Sequence, residues 1–177
     1  FIAFWFLGMI NNFHYCLVLS AADQMATDLH LKKLVALQSW ALVFFGLFVR
    51  MLNAFVYKHW SYNVRFLLGG LQTLIGIIVV SASPYIGDSD GFRFALLLMG
   101  IVAIGNGSSY GESVALGYVE LFPSSMVGGW SSGTGMSGVL AALIYLGLSS
   151  ASTLSNSAIF LLSIPLIAVY WSMYFLV

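Results

Sequence analysis

VGGWSSGTGMSGVL, residues 127–140, contains Gly133, Gly135 and Gly138 in the spacing G-x-G-x-x-G. That spacing belongs to the phosphate-cradling turn of dinucleotide-binding α/β folds, so the fold of the chain turns on how it is read. Such a fingerprint follows a strand, opens a helix and precedes, by about 20 positions, an acidic residue for the ribose. Here the preceding residues are FPSSM (122–126), and no Asp or Glu occurs after Glu120. The match is accidental. Re-spaced by four, the same residues pair as Gly129/Gly133, Ser131/Gly135, Gly133/Ser137 and Thr134/Gly138. This is the small-xxx-small pattern that lets membrane helices approach closely.

Composition supports the membrane reading. The 177 residues are 60% hydrophobic and 7% charged, against about a quarter charged in ordinary soluble domains. Residues 121–177 carry no Asp, Glu, Lys or Arg. A hydrocarbon core about 30 Å thick takes roughly 20 apolar residues as helix. Six stretches of that kind occur, near 1–22, 35–57, 64–82, 93–120, 127–149 and 156–177. They are separated by DQMATDLHLKK, YKHWSYN, SPYIGDSDG, FPSSM and SASTLSN, which have turn or solvent chemistry. The segments are too long and too uniformly apolar for barrel strands. The expected fold is an all-α membrane protein of six transmembrane helices. The chain begins FIAFWFLG and stops at YFLV within an apolar run, so further membrane helices are expected beyond residue 177. Lys/Arg counts on the two sides tie, and the 57–65 connection, with Lys58 and Arg65 and with Arg50 nearby, is assigned to the cytoplasm.

Polar groups inside the spans carry the functional information, because a charge at mid-bilayer costs about 2.5–3.5 kcal/mol on insertion scales. Glu112 stands out, in IGNGSSYGESVALGY of the fourth span. Ser108 shares its helical face, and Asn106, Ser109 and Ser113 recur at spacings of three and four. This stripe is read as the lining of a transport cavity that binds a proton, a cation or substrate hydroxyls. The alternative is a protonated Glu112 hydrogen-bonded to a neighbouring helix. In the first span Asn11 and Tyr15 share one face, and Asn12 and Cys16 the next. His14 is read as a packing residue. His30 and His59 lie in connections, no two metal-ligating side chains sit at i, i+4 within one span, and no basic surface is present. Enzymatic activity, a metal, a cofactor and nucleic-acid binding are therefore not expected.

NNFHYCLVLSAAD (11–23), GESVALG (111–117) followed by FP, WSSGTGMSGVLAALIYLGL (130–148) and SIPLIAVYWSMYFLV (163–177) together resemble the battenin family, lysosomal and vacuolar membrane proteins linked to Batten disease. The resemblance implies a major-facilitator-like fold, of which six spans form the N-terminal half-bundle. It also implies two three-helix repeats and a substrate site near mid-membrane between the halves. Family function implies efflux of small polar metabolites, glycerophosphodiesters or basic amino acids, and lumenal pH homeostasis. Implied partners are the lipid bilayer, the metabolite with protons, and cytosolic or endolysosomal proteins. The rival is a non-transporting adaptor of endolysosomal trafficking. The chain departs from the family in having His14 where Ser is usual and in a short first connection; the 57–65 connection also lacks the basic signature of facilitator transporters. In the fifth span Gly129, Gly133, Gly135 and Gly138 are read as the packing seam, with Trp130, Ser131, Ser132 and Thr134 bordering a cytoplasmic gate. With no Arg or Lys at mid-span, a substrate phosphate is expected to need a cation from the remaining half, whereas a cationic amino acid is expected to meet Glu112 directly.

Overall fold

A computed structural model describes residues 1–151 and 154–177, the side chain of Ala151 excepted. The connection SASTLSN thus lies partly outside the described residues. Among those residues there are helices and no strands: α1 (Ile2–Asp28), α2 (Val35–Phe44), α3 (Gly46–Phe55), α4 (Tyr62–Ala82), α5 (Asp90–Val119), α6 (Ser125–Ala151), α7 (Asn156–Leu162) and α8 (Pro165–Phe175). Six runs are long and apolar enough to cross a membrane: Ile2–Asp28, Lys32–Phe55, Tyr62–Tyr85, Asp90–Val119, Ser125–Ser150 and Asn156–Phe175. The first extends well past residue 22 because Gln24, Thr27 and Asp28 remain helical beyond the apolar stretch. Gln24 donates to Asp28 at 2.7 Å and Thr27 to the Asp23 carbonyl at 2.7 Å.

Two spans are broken, one at a tertiary contact and one at a proline. The second divides at Phe45 just before Gly46, whose missing side chain admits Ser109 of α5. The sixth divides at Ser163–Ile164 because Pro165 offers no N–H and its ring disfavours a continuous helix. Around the kink the backbone tightens to i→i−3 bonds, Ile164 N–H to Leu161 at 3.1 Å and Ile167 N–H to Ile164 at 2.9 Å. At two helix starts a serine side chain supplies one of the missing acceptors. Ser89 Oγ accepts from Phe92 N–H at 3.3 Å, and Ser155 Oγ from Ala158 N–H at 3.3 Å.

α1 packs along α6, α4 along α5, α2 and α3 on α5, and α7 and α8 on α1 and α4. This set of neighbours is unchanged when each span of the first three is exchanged with its counterpart in the last three. First-with-fifth becomes fourth-with-second, and third-with-fourth becomes sixth-with-first. Three crossings per repeat reverse its direction, so the bundle has the neighbour relations of two inverted three-helix repeats.

Lipid gives helices no hydrophobic reason to associate, so close backbone approach must supply dispersion contacts instead. The α1–α6 seam does this reciprocally. A Cβ on Gly133 would strike the Trp5 carbonyl, and one on Gly8 would strike the Trp130 carbonyl. The contact of α5 with the second span repeats the device, with Gly105 against the Leu42 carbonyl and Gly46 against the Ser109 hydroxyl. The second and fifth spans bury only 22% of their apolar windows, against 33–50% for the other four. These two spans therefore present the freest faces of the bundle.

Candidate functional site

Between those two open spans lies a cavity of about 300 Å³. α1 supplies Asn11, Asn12 and Tyr15; the second span Val43 and Arg50; α5 Ser108, Ser109 and Glu112; and α6 Trp130 and Thr134. The 3.6-residue helical period explains which stripe residues reach it. Ser108, Ser109 and Glu112 fall within about 100° of one another on α5, whereas Asn106 and Ser113 turn further towards the second span. Asn106 is half-buried outside the lining. Ser113 accepts a 2.6 Å hydrogen bond from Asn53 on α3.

The sequence expectation of a cavity without a cation needs correction. Arg50 Nη2 donates to Glu112 Oε2 at 2.6 Å, and both side chains stay accessible, at 49% and 41%. Arg50 lies inside the expected bounds of the second span, which is itself the signal for an intramembrane charge. Its long side chain carries the guanidinium to α5. Glu112 is accordingly already paired, and a cationic substrate does not meet a free carboxylate here.

One turn along the same contact runs a buried polar rung. Arg65 of α4 is 7% exposed. It donates to Asn53 Oδ1 at 3.0 Å and its guanidinium lies 4.8 Å from the Tyr62 ring centroid. Asn53 in turn donates to Ser113. Burying a guanidinium against an amide oxygen and an aromatic face holds α3, α4 and α5 together without a carboxylate.

The asparagines tie α1 to its neighbours. Asn11 Nδ2 donates to the Ser108 carbonyl at 3.0 Å, and Ser108 Oγ to Asn12 Oδ1 at 3.4 Å. Asn12 Nδ2 donates to Ser137 Oγ of α6 at 3.2 Å. His14 points away from the cavity, buried, with Nε2 at a long 3.5 Å from the Ser163 carbonyl at the proline kink. Its position fits the packing role read from the sequence.

The fifth-span residues divide by face. Gly129, Gly133 and buried Ser137 meet α1, with Gly129 against Phe1. Gly138 is in ordinary contact distance of Cys16. Trp130 and Thr134 line the cavity beside Glu112. Ser131, Ser132 and Gly135 are exposed, and nothing lies within 4 Å of a Cβ built on Gly135. The Ser131/Gly135 pair is therefore no part of the α1 seam, because two residues of offset from Gly133 rotate it by about 200° on the helix.

A larger hollow of about 600 Å³ opens at the far end of α1, around Asp23, Asp28, Tyr145 and Asn156. Its carboxylates are satisfied, Asp23 by Lys32 at 3.1 Å and Asp28 by Gln24 and by Asn156 at 2.9 Å. The smaller cavity, with its accessible pair of opposite charges among polar side chains of four spans, is the better candidate site.

The profile of the CLN3 protein family matches residues 2–177. The chain belongs to this family. Over 174 residues it is 38% identical to the battenin of Dictyostelium discoideum, covering 98% of this chain and 40% of that protein. It is 31% identical over 166 residues to the protein BTN1 of Kluyveromyces lactis, with 93% and 40% covered. It is 28% identical over 174 residues to the battenin of Canis lupus familiaris, with 84% and 38% covered. The chain thus spans about two-fifths of the length of these curated relatives. No solved structure matches it.

Family membership and six apolar helices make this a multi-pass membrane protein, and its cavity is lined by stretches that take equivalent places in the bundle, with only the seam glycine identical between them. GMINNFHYC (8–16) of α1 and GNGSSYGES (105–113) of α5 take the same roles in register. Gly8 and Gly105 are seam glycines, while Asn11/Ser108, Asn12/Ser109 and Tyr15/Glu112 line the cavity. On the flanking spans VFFGLFVR (43–50) matches WSSGTGMS (130–137). Val43 and Trp130 line the cavity, Gly46 and Gly133 form seams, and Arg50 corresponds to Ser137.

Proposed function

We propose that this chain is one half of an endolysosomal or vacuolar transporter that moves small polar metabolites out of the lumen and contributes to lumenal pH homeostasis. The cavity around Arg50 and Glu112 is its share of the substrate site. The observation that carries this reading is the placement of an accessible ion pair among Asn11, Asn12, Ser108 and Ser109. Intramembrane charges of this kind are retained where they line a watery path. The open faces of the second and fifth spans suit docking of further helices, which would complete the cavity, and the inverted-repeat packing supports alternating access by rocking of two halves. Glycerophosphodiesters and basic amino acids are the candidate substrates by family resemblance. Cytosolic orientation of the 56–61 connection follows the weak positive-inside signal.

The test is counterflow of labelled metabolites by the intact protein in proteoliposomes with a lumen-acid pH gradient. Glu112→Gln is expected to abolish gradient-driven accumulation by at least about tenfold while leaving yield, folding and sorting intact. Undiminished accumulation in that variant sinks the assignment of the cavity. Absence of flux for every metabolite across phosphodiesters, amino acids and carboxylates sinks transport itself and favours the adaptor.

A further inference from the structure

We propose that Arg50 and Glu112 form an exchangeable ion pair. Arg50 is the anion-binding group of the cavity, and Glu112 is its tethered competitor, which takes up a proton when a ligand anion occupies the guanidinium. The binding step stands on the geometry alone; its consequence for flux rests on the transport reading above.

Three features carry the inference. First, the pair can open without loosening the bundle. It touches through one guanidinium nitrogen and one carboxylate oxygen at 2.6 Å, and among the described residues no other hydrogen bond holds either side chain. The contact between α3 and α5 keeps its own buried link through Asn53 and Ser113. Second, only one member of the pair can surrender its charge. A guanidinium stays protonated at every physiological pH, whereas a carboxylate is neutralised by a single proton. An anion added to the intact pair would leave the cavity with one net negative charge in a medium that solvates it poorly. A proton on Glu112 restores neutrality and turns the carboxyl into a donor. A cation added instead would have to evict a guanidinium held at high effective concentration by its own helix, and would strand that guanidinium without a carboxylate in the lining.

Third, among the described residues the cavity lining offers Glu112 no charged partner besides Arg50. The α1 wall contributes the phenol of Tyr15, and the α6 wall contributes Trp130 and Thr134, which do not titrate. From the α4 side Arg65 is committed to Asn53 and Tyr62. On α8 the Tyr170 hydroxyl lies behind Gly111, facing away with the small hollow around His14. Asn11, Asn12 and Ser109 are placed to hold the hydroxyls or remaining oxygens of a ligand whose anionic group rests on Arg50. The site therefore takes a small organic anion together with one proton.

The test uses the intact protein, purified in detergent, with glycerophosphoglycerol as the phosphodiester probe, lactate as the monocarboxylate probe and agmatine, which has no carboxylate, as the cation control. Binding is measured by calorimetry across pH, with proton uptake taken from buffers of different ionisation enthalpy. One anion probe is expected to bind with about one proton taken up. Its affinity then rises by up to about tenfold per unit fall in pH over the range in which that proton is taken up; which probe binds identifies the anion. Glu112→Gln is expected to bind that probe at neutral pH at least as tightly as the unaltered protein does at acidic pH, with no proton uptake. Arg50→Gln is expected to lose at least about tenfold in affinity, and Arg50→Lys, which keeps the charge, to lose less. Anion binding without proton uptake, an unchanged pH dependence in Glu112→Gln, unchanged affinity in both Arg50 variants, or binding of agmatine in place of either anion would each overturn the proposal. Proteoliposomes of the same preparations separate the two ideas. Proton-linked binding without flux of any metabolite leaves the exchangeable pair standing and removes the transport reading. Flux whose pH dependence survives in Glu112→Gln does the reverse.

Discussion

Alanine at Gly133 should weaken the bundle although alanine is the better helix former. A Cβ at this position would lie 2.8 Å from the Trp5 carbonyl carbon and 3.0 Å from the Met9 nitrogen, with the Trp5 oxygen closer still. Comfortable carbon contacts begin at about 3.5 Å, so α1 and α6 would have to separate by roughly 1 Å at their crossing. Overpacking of that order costs about 1–3 kcal/mol, while Gly→Ala within a helix returns about 0.5–1 kcal/mol. Gly147, on the same helix, would have nothing within 4 Å of an added methyl. Gly147→Ala is the internal control, since it gains the same propensity without the collision. The expected difference in unfolding free energy between Gly133→Ala and Gly147→Ala is therefore the overpacking cost itself, about 1–3 kcal/mol. Equilibrium unfolding of the intact protein in mixed micelles titrated with sodium dodecyl sulfate reads it directly. Equal stability of the two variants would place the crossing elsewhere. Because Trp130 and Thr134 flank Gly133 on the same helix and line the cavity, flux is expected to fall in Gly133→Ala and not in Gly147→Ala.

Two further outcomes probe the polar groups outside the ion pair. Asn53→Ala leaves the Arg65 guanidinium and the Ser113 hydroxyl without their amide partner, and it should cost about 1–3 kcal/mol in the same unfolding assay; no loss would mean that water replaces the amide. His14→Ser should leave the pH profile of flux unchanged, since the imidazole faces the Ser163 carbonyl rather than the cavity. A shifted profile would make His14 a proton carrier.

Much of the fold is readable because a bilayer imposes a length, and six apolar runs of that length are visible in a chain with so few charges. What the length rule does not reach is the interior of each run. The break at Phe45 depends on Ser109 entering the space of Gly46, a contact between residues far apart in the chain. The candidate site divides in the same way. Asn11, Asn12, Tyr15, Ser109 and Glu112 stand out as polar side chains within apolar spans, and the structure brings these five to one cavity. Asn106 and Ser113 have the same credentials and lie elsewhere, because a stripe at spacings of three and four is broad enough to serve two neighbours. A position near a span end assigns Arg50 to the mouth, yet its side chain is long enough to carry the charge inward. Counting residues along a helix locates the Cα and not the guanidinium.

The repeat explains why the charged pair is informative. α1 and α5 take equivalent places in the bundle, as do the second span and α6, so a cavity made by symmetry alone would have matching walls. Three of the correspondences keep their roles: a glycine at each close approach in both seams, Asn11 and Asn12 with Ser108 and Ser109, and Val43 with Trp130. The fourth does not. Where one wall has Glu112 facing Arg50, the equivalent positions on the other are Tyr15 and Ser137, both neutral. Helix packing cannot demand that difference, because the uncharged wall packs by the same glycine contacts. Under the transport reading proposed above the two walls would exchange exposure as the halves rock, and a charge pair confined to one wall would make the two exposures electrostatically unequal. A ligand anion arriving with a proton changes the charge state of that wall alone, and only a ligand with different interaction energies in the two states can shift the balance between them. The departure from symmetry at Arg50 and Glu112 supplies that difference.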